Sequence, residues 1–170
     1  QIDVRKSVTD PVFDATTNIL GTINLLENSV RQKIKKFIFA SSGGVMYGEC
    51  GKIPPSEDKK PEPLSPYGID KRVVEYYLNY YHKVHGLRYA AMRYANVYGP
   101  RQDGKGEGGV IAIFADKMTS AGQPIIFGDG EQTRDFVNVA DVARANVKAL
   151  ESNQTGIINV GTNTETSVNE

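Results

Sequence analysis

The run Phe37-Ile38-Phe39-Ala40 is the feature that most constrains the fold. Consecutive apolar residues without polar alternation are typical of a short strand buried on both faces, as in parallel sheets covered by helices. The small residues Ser41-Ser42-Gly43-Gly44 follow at once, where the strand would end. Open α/β sheets bind ligands at the carboxyl ends of their strands. The run therefore predicts a parallel sheet and the edge of that sheet at which a site would lie.

Two helices are predicted from their start signals. Asp10-Pro11 and Ser65-Pro66 each combine a capping side chain with a proline at the first helical position. The first helix is predicted over residues 11–31. The second runs from Pro66 to a stop at Gly86. We expect one apolar stripe of this second helix to face the core, made of Ile69, Val73, Tyr76, Tyr80 and Val84.

The rest of the chain alternates between strands, helices and loops. Loops are expected over 49–64 and 95–109, helices over 110–121 and 139–150, and strands over 87–92, 125–127, 134–137 and 157–160. Such alternation predicts an α/β protein with a mostly parallel sheet.

Charge and composition exclude several classes of function. The 170 residues carry 20 basic and 20 acidic side chains, which argues against a nucleic-acid or membrane-surface partner. The single cysteine, Cys50, excludes an internal disulfide framework, and no metal site is expected because His82 and His85 are far from it in sequence. No apolar run is long enough to span a bilayer. The cytoplasm is the expected compartment.

The two ends of the sequence suggest an excerpt. Gln1 is not an initiator methionine, and Ser167-Val168-Asn169-Glu170 stops where another helix could begin. A glycine-rich turn that would hold a dinucleotide pyrophosphate is missing, so we expect it upstream of Gln1. The isolated 170 residues are accordingly expected to show no catalytic activity and no tight dinucleotide binding.

Tyr67 and Lys71 are the strongest candidates for chemistry. They lie four residues apart at the start of a predicted helix, which places them one turn apart on the same face. An ammonium close to a phenol favours the phenolate, lowering its pKa toward that of a general base. The spacing also arises by chance on amphipathic helices, so its context decides its meaning.

Three further segments supply that context. Ser41–Gly48 follows a buried strand, Ser65–Lys71 follows the next loop, and Arg93–Arg101 (Arg-Tyr-Ala-Asn-Val-Tyr-Gly-Pro-Arg) follows the next strand. Their order resembles the extended short-chain dehydrogenases of the epimerase/dehydratase family, particularly the UDP-glucose 4-epimerase group. The likeness covers nearly the whole chain and continues through Gly109–Ile111, Phe127–Gly130, Thr133–Val137, Val139–Ala143 and Asn159–Gly161.

The resemblance implies that residues 1–95 are the C-terminal portion of an NAD-binding Rossmann-like domain, here without its first strands. Residues 96–170 would be mainly part of a smaller substrate-binding region, with strands returning to the Rossmann sheet. The resemblance also implies NAD as cofactor and 4-epimerisation of a UDP-hexose, UDP-glucose to UDP-galactose, through a 4-keto intermediate. Tyr67 would be the acid/base, and Lys71 would lower its pKa and bind the nicotinamide ribose. A homodimer through the helices near 11–31 and 65–86 is expected on the same ground.

Further site residues are carried over by the same resemblance. For the cofactor they are Asn18, Ser41, Tyr67, Lys71 and Tyr94. For the UDP-sugar they are Ser42, Asn96, Gly109, Val110, Ile125, Phe127 and Arg134. Several of these have structural alternatives: Asn96 could fix its loop, Gly109 could be a turn residue, Phe127 could be core, and Arg134 could pair with Asp129 or Asp135.

One position departs from the family pattern. Gly43 stands where many members place the Ser or Thr that hydrogen-bonds the sugar hydroxyl. Ser42 is the nearest side-chain donor, so we count it as catalytic; a backbone amide or a water is the alternative. Rival functions are a UDP-glucuronate or UDP-N-acetylhexosamine epimerase, a sugar dehydratase, and a non-catalytic nucleotide-sugar-binding module. Gly43-Gly44-Val45 argues against dehydration, because dehydratases of the group usually carry Asp-Glu there.

Overall fold

A parallel sheet with helices on both faces organises the protein. The computed structural model describes residues 1–48, 55–104 and 109–170. Its strands are β1 Lys36–Ser42, β2 Arg88–Tyr94, β3 Asn96–Tyr98, β4 Thr133–Arg134, β5 Phe136–Asn138, β6 Gly156–Val160 and β7 Thr166–Ser167. Strands β1, β2 and β6 form the sheet in that order, all parallel. The predicted α/β class and parallel sheet are therefore confirmed.

The helices are α1 Val4–Thr9, α2 Pro11–Ala15, α3 Gly21–Arg31, α4 Gly43–Met46, α5 Pro66–His85, α6 Val110–Thr119 and α7 Val139–Glu151. A π-helical turn, Thr16–Leu20, joins α2 to α3, so the single helix predicted over 11–31 is interrupted. Helix α1 was not predicted, because its six residues are mostly polar and form no apolar stripe. None of the helices in the described ranges is long and apolar enough to cross a bilayer.

Apolar side chains form one cluster on each face of the sheet. On one face Leu26 of α3 and Leu78 of α5 lie against Tyr89 and Ala91 of β2. On the other face Ala149 of α7 lies against Met92 and its neighbours. Burial of this kind contributes about 25 cal/mol per Å² of apolar surface, so both helix layers fix the sheet. The carboxyl ends of β1, β2 and β6 are left facing the site.

Helix α5 begins and ends at the predicted residues. The Ser65 hydroxyl oxygen accepts a hydrogen bond from the Gly68 amide at 3.2 Å, and Gly86 ends the helix at φ +69°. The predicted core face was wrong, however. Tyr76 is 60% exposed, and Ile69, Tyr80 and Val84 are also exposed. The face that is buried carries Tyr67, Asp70, Lys71, Val74, Glu75, Leu78 and Tyr81.

The second half of the chain departs from prediction at two strands. Residues 125–127 form no strand in the structure, and the strand predicted over 134–137 is divided at Asp135 into β4 and β5. The Asp135 carboxylate accepts hydrogen bonds from the amides of Thr162 and Asn163 at 2.9–3.0 Å, which bends the chain there. Strand β4 then pairs antiparallel with β7, and β5 pairs parallel with β3. Residues 49–54 and 105–108 of the two predicted loops lie outside the described residues.

Candidate active site

A cleft of about 570 Å³ opens at the carboxyl end of the sheet. Its walls come from the end of β1, the start of α5, strand β3, the start of α6 and the segment before β4. Eight of the residues predicted from the sequence line it: Ser42, Tyr67, Asn96, Gly109, Val110, Ile125, Phe127 and Arg134. Distant parts of the chain thus bring polar groups and apolar walls into one space.

Helix α5 presents Tyr67 to this cleft from its first turn. The Tyr67 side chain is 9% exposed, and Lys71 one turn later is equally buried. The Lys71 ammonium lies 5.4 Å from the centre of the Tyr67 ring and 4.8 Å from that of Phe39, within the range of cation–π attraction. It donates one hydrogen bond, at 3.0 Å, to the carbonyl oxygen of Ala40 in β1. This bond ties α5 to the end of the strand that carries Ser42.

The electrostatic setting of the pair differs from the sequence expectation. Burial, and then the negative charge of Asp14, raise the pKa of Tyr67 above its ordinary value. Burial lowers the pKa of Lys71, while the charges of Asp14 and Asp70 act in the opposite direction. The expected lowering of the phenol pKa by Lys71 is therefore not seen in this structure, because the ammonium lies over the ring and loss of solvation dominates.

The two serines of the Ser-Ser-Gly-Gly segment have different environments. Ser41 is buried and its hydroxyl donates to Glu75 Oε1 at 2.8 Å, so its side chain is occupied inside the protein. Ser42 caps the sheet end and lines the cleft. Gly43 starts α4 directly afterwards, and a side-chain carbon placed on it would lie 3.2 Å from the carbonyl oxygen of Tyr94. A Ser or Thr at position 43 would therefore be crowded by β2.

A buried network of charged and polar groups lies under this segment. Arg93 of β2 donates two hydrogen bonds to Glu75 of α5 and one, at 2.7 Å, to the Tyr47 hydroxyl oxygen. Tyr47 in turn donates to Asn159 Oδ1 at 2.7 Å. Burial opposes ionisation of Glu75, but the hydrogen bonds and charge of Arg93 outweigh it and hold the pKa of Glu75 below its usual value. Sequence analysis missed this network, since ion pairs between distant elements leave no local pattern.

The cleft lining also contains Gly109, Val110 and Arg134, the residues that the sequence analysis assigned to the UDP-sugar. Gly109 is the N-cap of α6, and within residues 1–48, 55–104 and 109–170 no side chain caps the first turn, so backbone amides at the helix start lie uncapped at the cleft. The Arg134 guanidinium donates to the Thr133 carbonyl oxygen at 2.7 Å and, among the described residues, pairs with no carboxylate. Asp135, its suggested alternative partner, is occupied by Thr162 and Asn163.

The remaining predicted residues lie in several places. Phe127 and Ile125 line the cleft with 82% and 70% of their surface exposed, so they are wall residues and not core. Asn96 pairs through its backbone with β5 and also lines the cleft. Asn18 lies buried in the π-helical turn with its amide nitrogen lacking an acceptor among the described residues. Tyr94 instead faces α7, where its hydroxyl donates to Asn146 Oδ1 at 2.8 Å.

Gln102 is a cleft residue that sequence analysis did not single out. Its amide nitrogen donates to the Val97 carbonyl oxygen at 3.0 Å, whereas its buried Oε1 meets no donor in the described part of the chain. A glutamine in a polar, glycine-containing loop gives no signal in the sequence. Its fixed nitrogen leaves the oxygen as an acceptor at the cleft wall.

Comparison with known proteins places this cleft in context. The family described as "NAD dependent epimerase/dehydratase family" matches residues 1–161. A protein of Methanocaldococcus jannaschii is 56% identical over 170 residues, and the UDP-glucose 4-epimerase of Mycolicibacterium smegmatis is 46% identical over 171 residues. Each alignment covers 100% of this chain and 55% of the relative. The chain thus spans about half the length of these relatives.

A solved structure agrees in fold as well as in sequence. The UDP-glucose 4-epimerase of Thermotoga maritima, determined with UDP-glucose, superposes with a TM-score of 0.95 at 50% identity. The match covers 99% of this chain and 55% of that one. The resemblance noted in the motifs is therefore supported by the family match, by relatives and by three-dimensional similarity. The chain belongs to the NAD-dependent epimerase/dehydratase family.

Proposed function

We propose that the protein carrying this chain is an NAD-dependent epimerase that inverts C4 of a UDP-hexose, interconverting UDP-glucose and UDP-galactose through a 4-keto intermediate. One observation carries the proposal. The phenol of Tyr67, a group able to transfer a proton, lines the same cleft as Arg134 and the start of α6, which carry groups suited to binding phosphate. A sugar in this cleft would have its ring beside Tyr67 and its diphosphate beside Arg134.

Tyr67 would take the proton from the sugar 4-hydroxyl and later return it. Burial and then the charge of Asp14 raise the pKa of its phenol, so both oppose the phenolate form in which it would accept that proton. Ser42 would donate a hydrogen bond to the oxygen that changes charge. The cleft lining includes the apolar side chains of Ile125 and Phe127, which would limit the access of water to a bound keto-sugar.

The residues present fit a bound dinucleotide. NAD supplies the hydride acceptor and donor for the sugar carbon. One N–H of the Lys71 ammonium donates to Ala40, which leaves two N–H groups for ribose hydroxyls. The buried amide of Asn18 also has donors without an acceptor in the described ranges. Ser41 would contribute through its backbone, since its hydroxyl is held by Glu75, and Tyr94 through its ring, since its hydroxyl is held by Asn146.

UDP binding would use both charge and apolar surface. Arg134 presents a guanidinium, the group suited to two-point binding of phosphate, with no competing carboxylate among the described ion pairs. The amides of Gly109 and Val110 would add hydrogen bonds at the positive end of the α6 dipole. Ile125 and Phe127 would contact the uracil, and Asn96 would bind the diphosphate or the sugar.

A homodimer in the cytoplasm completes the proposal. Exposed apolar side chains lie on α3 and on α5, including Leu25, Tyr76 and Val84, each with more than half of its surface exposed. Burying such a patch against a second copy would remove it from water. The single cysteine of the sequence suits a reducing compartment. Sedimentation of the natural-length protein and of a Tyr76→Lys variant would test the dimer.

The decisive experiment offers a panel of UDP-sugars to the natural-length protein with NAD. Conversion of UDP-galactose to UDP-glucose, at a kcat/KM above those for UDP-glucuronate and UDP-N-acetylglucosamine, is the expected result. Preference for one of the other sugars would make that UDP-sugar the substrate and leave the family unchanged. Absence of turnover with every sugar, while UDP still binds, would favour a non-catalytic nucleotide-sugar-binding module.

A further inference from the structure

The Asp135 side chain anchors the bend between β4 and β5. It is 7% exposed, and its two carboxylate oxygens accept hydrogen bonds from the Thr162 amide at 2.9 and 3.0 Å. The Thr162 hydroxyl donates to Oδ1 at 2.7 Å, and the Asn163 amide donates to Oδ2 at 3.0 Å. Consecutive amides directed at one carboxylate form a concavity that suits an anion. The segment that follows β6 therefore satisfies the buried carboxylate of Asp135.

Gly161 lets the carboxylate approach this segment closely. A side-chain carbon built on Gly161 would collide with the Asp135 carboxylate and lie 3.3 Å from the β-carbon of Ala95. The φ angle of Gly161 is not positive, so a larger residue would strain this contact and not the backbone. A substitution at position 161 can thus displace the anchor without removing the carboxylate.

Arg134, the residue before Asp135, lies on a strand with few other ties. Strand β4 has two residues and pairs antiparallel with β7. Such a short two-stranded ladder is only marginally stable on its own. The amides of Val168 and Asn169 add hydrogen bonds to the Gly130 carbonyl oxygen at 3.0 and 3.2 Å. These contacts fix β4 relative to β7, but neither strand belongs to the three-stranded sheet.

The Asp135 carboxylate connects β4 to that sheet. Its partners Thr162 and Asn163 come just after the end of β6, the strand that pairs with β2. The backbone of Asp135 is held separately, because its carbonyl oxygen accepts a hydrogen bond from the Asn96 amide at 2.9 Å. A change of the side chain leaves this backbone bond in place. Loss of the side-chain bonds would therefore loosen β4 and Arg134 while β5 stays paired with β3.

The same hydrogen bonds keep Asp135 from competing for the Arg134 guanidinium. Carboxylates and phosphates bind guanidinium groups in the same two-point geometry. Arg134 pairs with no acidic side chain of residues 1–48, 55–104 or 109–170, and its Nη1 donates to the Thr133 carbonyl oxygen at 2.7 Å. The guanidinium thus stays available to a phosphate, although an acidic residue is its neighbour in sequence.

We infer that Asp135 is a positioning residue, which holds Arg134 at the cleft by anchoring β4 to the end of β6. The inference rests on the proposed function, because it takes Arg134 as the group that binds the diphosphate. Charge alone predicts the opposite effect, since removing a negative charge next to Arg134 would strengthen the binding of an anion. The sign of the change in UDP affinity therefore separates positioning from electrostatics.

The test measures the dissociation constant of UDP by calorimetry on the natural-length protein, at a temperature below the thermal midpoint of every variant. Asp135→Asn keeps the side-chain shape but turns an amide N–H toward backbone N–H donors, so the dissociation constant should rise about tenfold. In an Arg134→Gln background the same change should have an effect below about twofold, because Asp135 acts through Arg134. Asp141→Asn removes an exposed carboxylate from α7 and should leave the affinity unchanged.

Two milder variants give the same comparison if Asp135→Asn does not fold. Gly161→Ala displaces the carboxylate, and Thr162→Val removes the hydroxyl donor and keeps both amides. Each should raise the dissociation constant of UDP by about three- to fivefold, again only when Arg134 is present. In turnover, the KM for UDP-galactose should rise by a similar factor while kcat changes by less than about twofold, because a binding group is displaced and the proton-transfer group is not.

Unchanged or tighter UDP binding in these variants would overturn the positioning role. Equal weakening with and without Arg134 would also overturn it, because a general loosening of the fold would then explain the loss. Unchanged affinity in Arg134→Gln alone would refute both the phosphate contact and the role of Asp135. Should the wild-type protein bind UDP but turn over no UDP-hexose, the proposed function would fail, while the binding measurements would still decide the role of Asp135.

Discussion

Arg93 and Glu75 are joined by two parallel hydrogen bonds in the interior, Nε to Oε1 at 2.9 Å and Nη2 to Oε2 at 2.7 Å. Both side chains are almost completely removed from solvent. This two-point pair connects β2 to α5 beside Ser41 at the end of β1. Ser41 and Tyr47 add hydrogen bonds to the same two side chains, so the pair holds the strand ends and the helix in one geometry.

Removing one partner of this pair should be costly. Arg93→Met leaves the Glu75 carboxylate buried beside only Arg72 and Ser41, and we expect a loss of about 3–5 kcal/mol in the free energy of unfolding. Urea titration at pH 7 measures it. Replacing both partners, as Arg93→Met with Glu75→Leu, should recover much of the loss. A single variant within 1 kcal/mol of wild type would contradict a structural role for the pair.

The pH dependence of stability follows from the same contact. Because the pKa of Glu75 is lowered in the folded state, its carboxylate stabilises the folded protein at pH values above its unfolded pKa of 4.5. This stabilisation should be lost as pH falls through the lower pKa of the folded state. Urea titrations from pH 6 down to pH 3 should therefore show a steeper decline for wild type than for Glu75→Gln. Parallel declines would refute this reading.

Replacing Tyr67 with Phe should nearly abolish turnover while leaving the fold intact. The ring remains, but the group that carries the proton is gone, and general acid/base catalysis is worth about 10²–10⁴-fold. Steady-state assays of UDP-galactose conversion measure the change. Tyr80→Phe removes a hydroxyl from an exposed position on the same helix and should be neutral. Near-normal turnover by Tyr67→Phe would contradict the assignment of Tyr67 as the acid/base.

The two serines should respond differently to alanine substitution. Ser42→Ala should raise the activation free energy by roughly one to a few kcal/mol, because a hydroxyl at the cleft is lost. Turnover should therefore fall roughly ten- to several-hundred-fold. Ser41→Ala should mainly lower stability, since it removes a donor from buried Glu75. Measuring both kcat and the urea midpoint separates the two effects. Equal, small effects on turnover would instead favour a backbone amide or a water as donor to the sugar.

Arg134 should matter for binding more than for the chemical step. Arg134→Gln removes the charge that would hold a diphosphate, so UDP affinity measured by calorimetry should fall by about 10–100-fold. Arg144→Gln removes another exposed arginine, from α7, and is the control. An unchanged dissociation constant for UDP in the Arg134 variant would exclude the proposed clamp.

The sequence predicted well those elements whose signals are local. Strand β1 was evident from its continuous apolar run, and α5 from its serine-proline start and glycine stop. The buried face of α5 was missed because it carries Asp70, Lys71 and Glu75. A prediction based on apolar residues places such charged side chains on the surface. Their burial depends on partners in other elements, and those partners cannot be found without the fold.

The positions of the predicted site residues in the structure have a common physical explanation. Ser42, Tyr67 and Asn96 line one cleft because Ser42 ends β1, Asn96 follows the end of β2, and α5 begins beside these strand ends. The strand predicted at 125–127 is instead an irregular cleft wall, where apolar side chains are exposed to a ligand site. Hydrophobicity alone does not distinguish a buried strand from such a wall.

The π-helical turn between α2 and α3 has a geometric consequence. Asp14 and Leu26 are twelve residues apart, and at about 100° per residue a regular helix would separate them by about 120°. The wide turn absorbs one residue, through the hydrogen bond from the Gly21 amide to the Thr16 carbonyl oxygen, and removes about 100° of this rotation. Both side chains can then face α5. Deleting one residue from Thr16–Leu20 would leave Asp14 and Leu26 eleven residues apart in a regular helix, about 20° from a common direction, so both could still face α5. Inserting a residue there would restore the separation of about 120° and turn one of them outward, so this segment should tolerate a deletion better than an insertion.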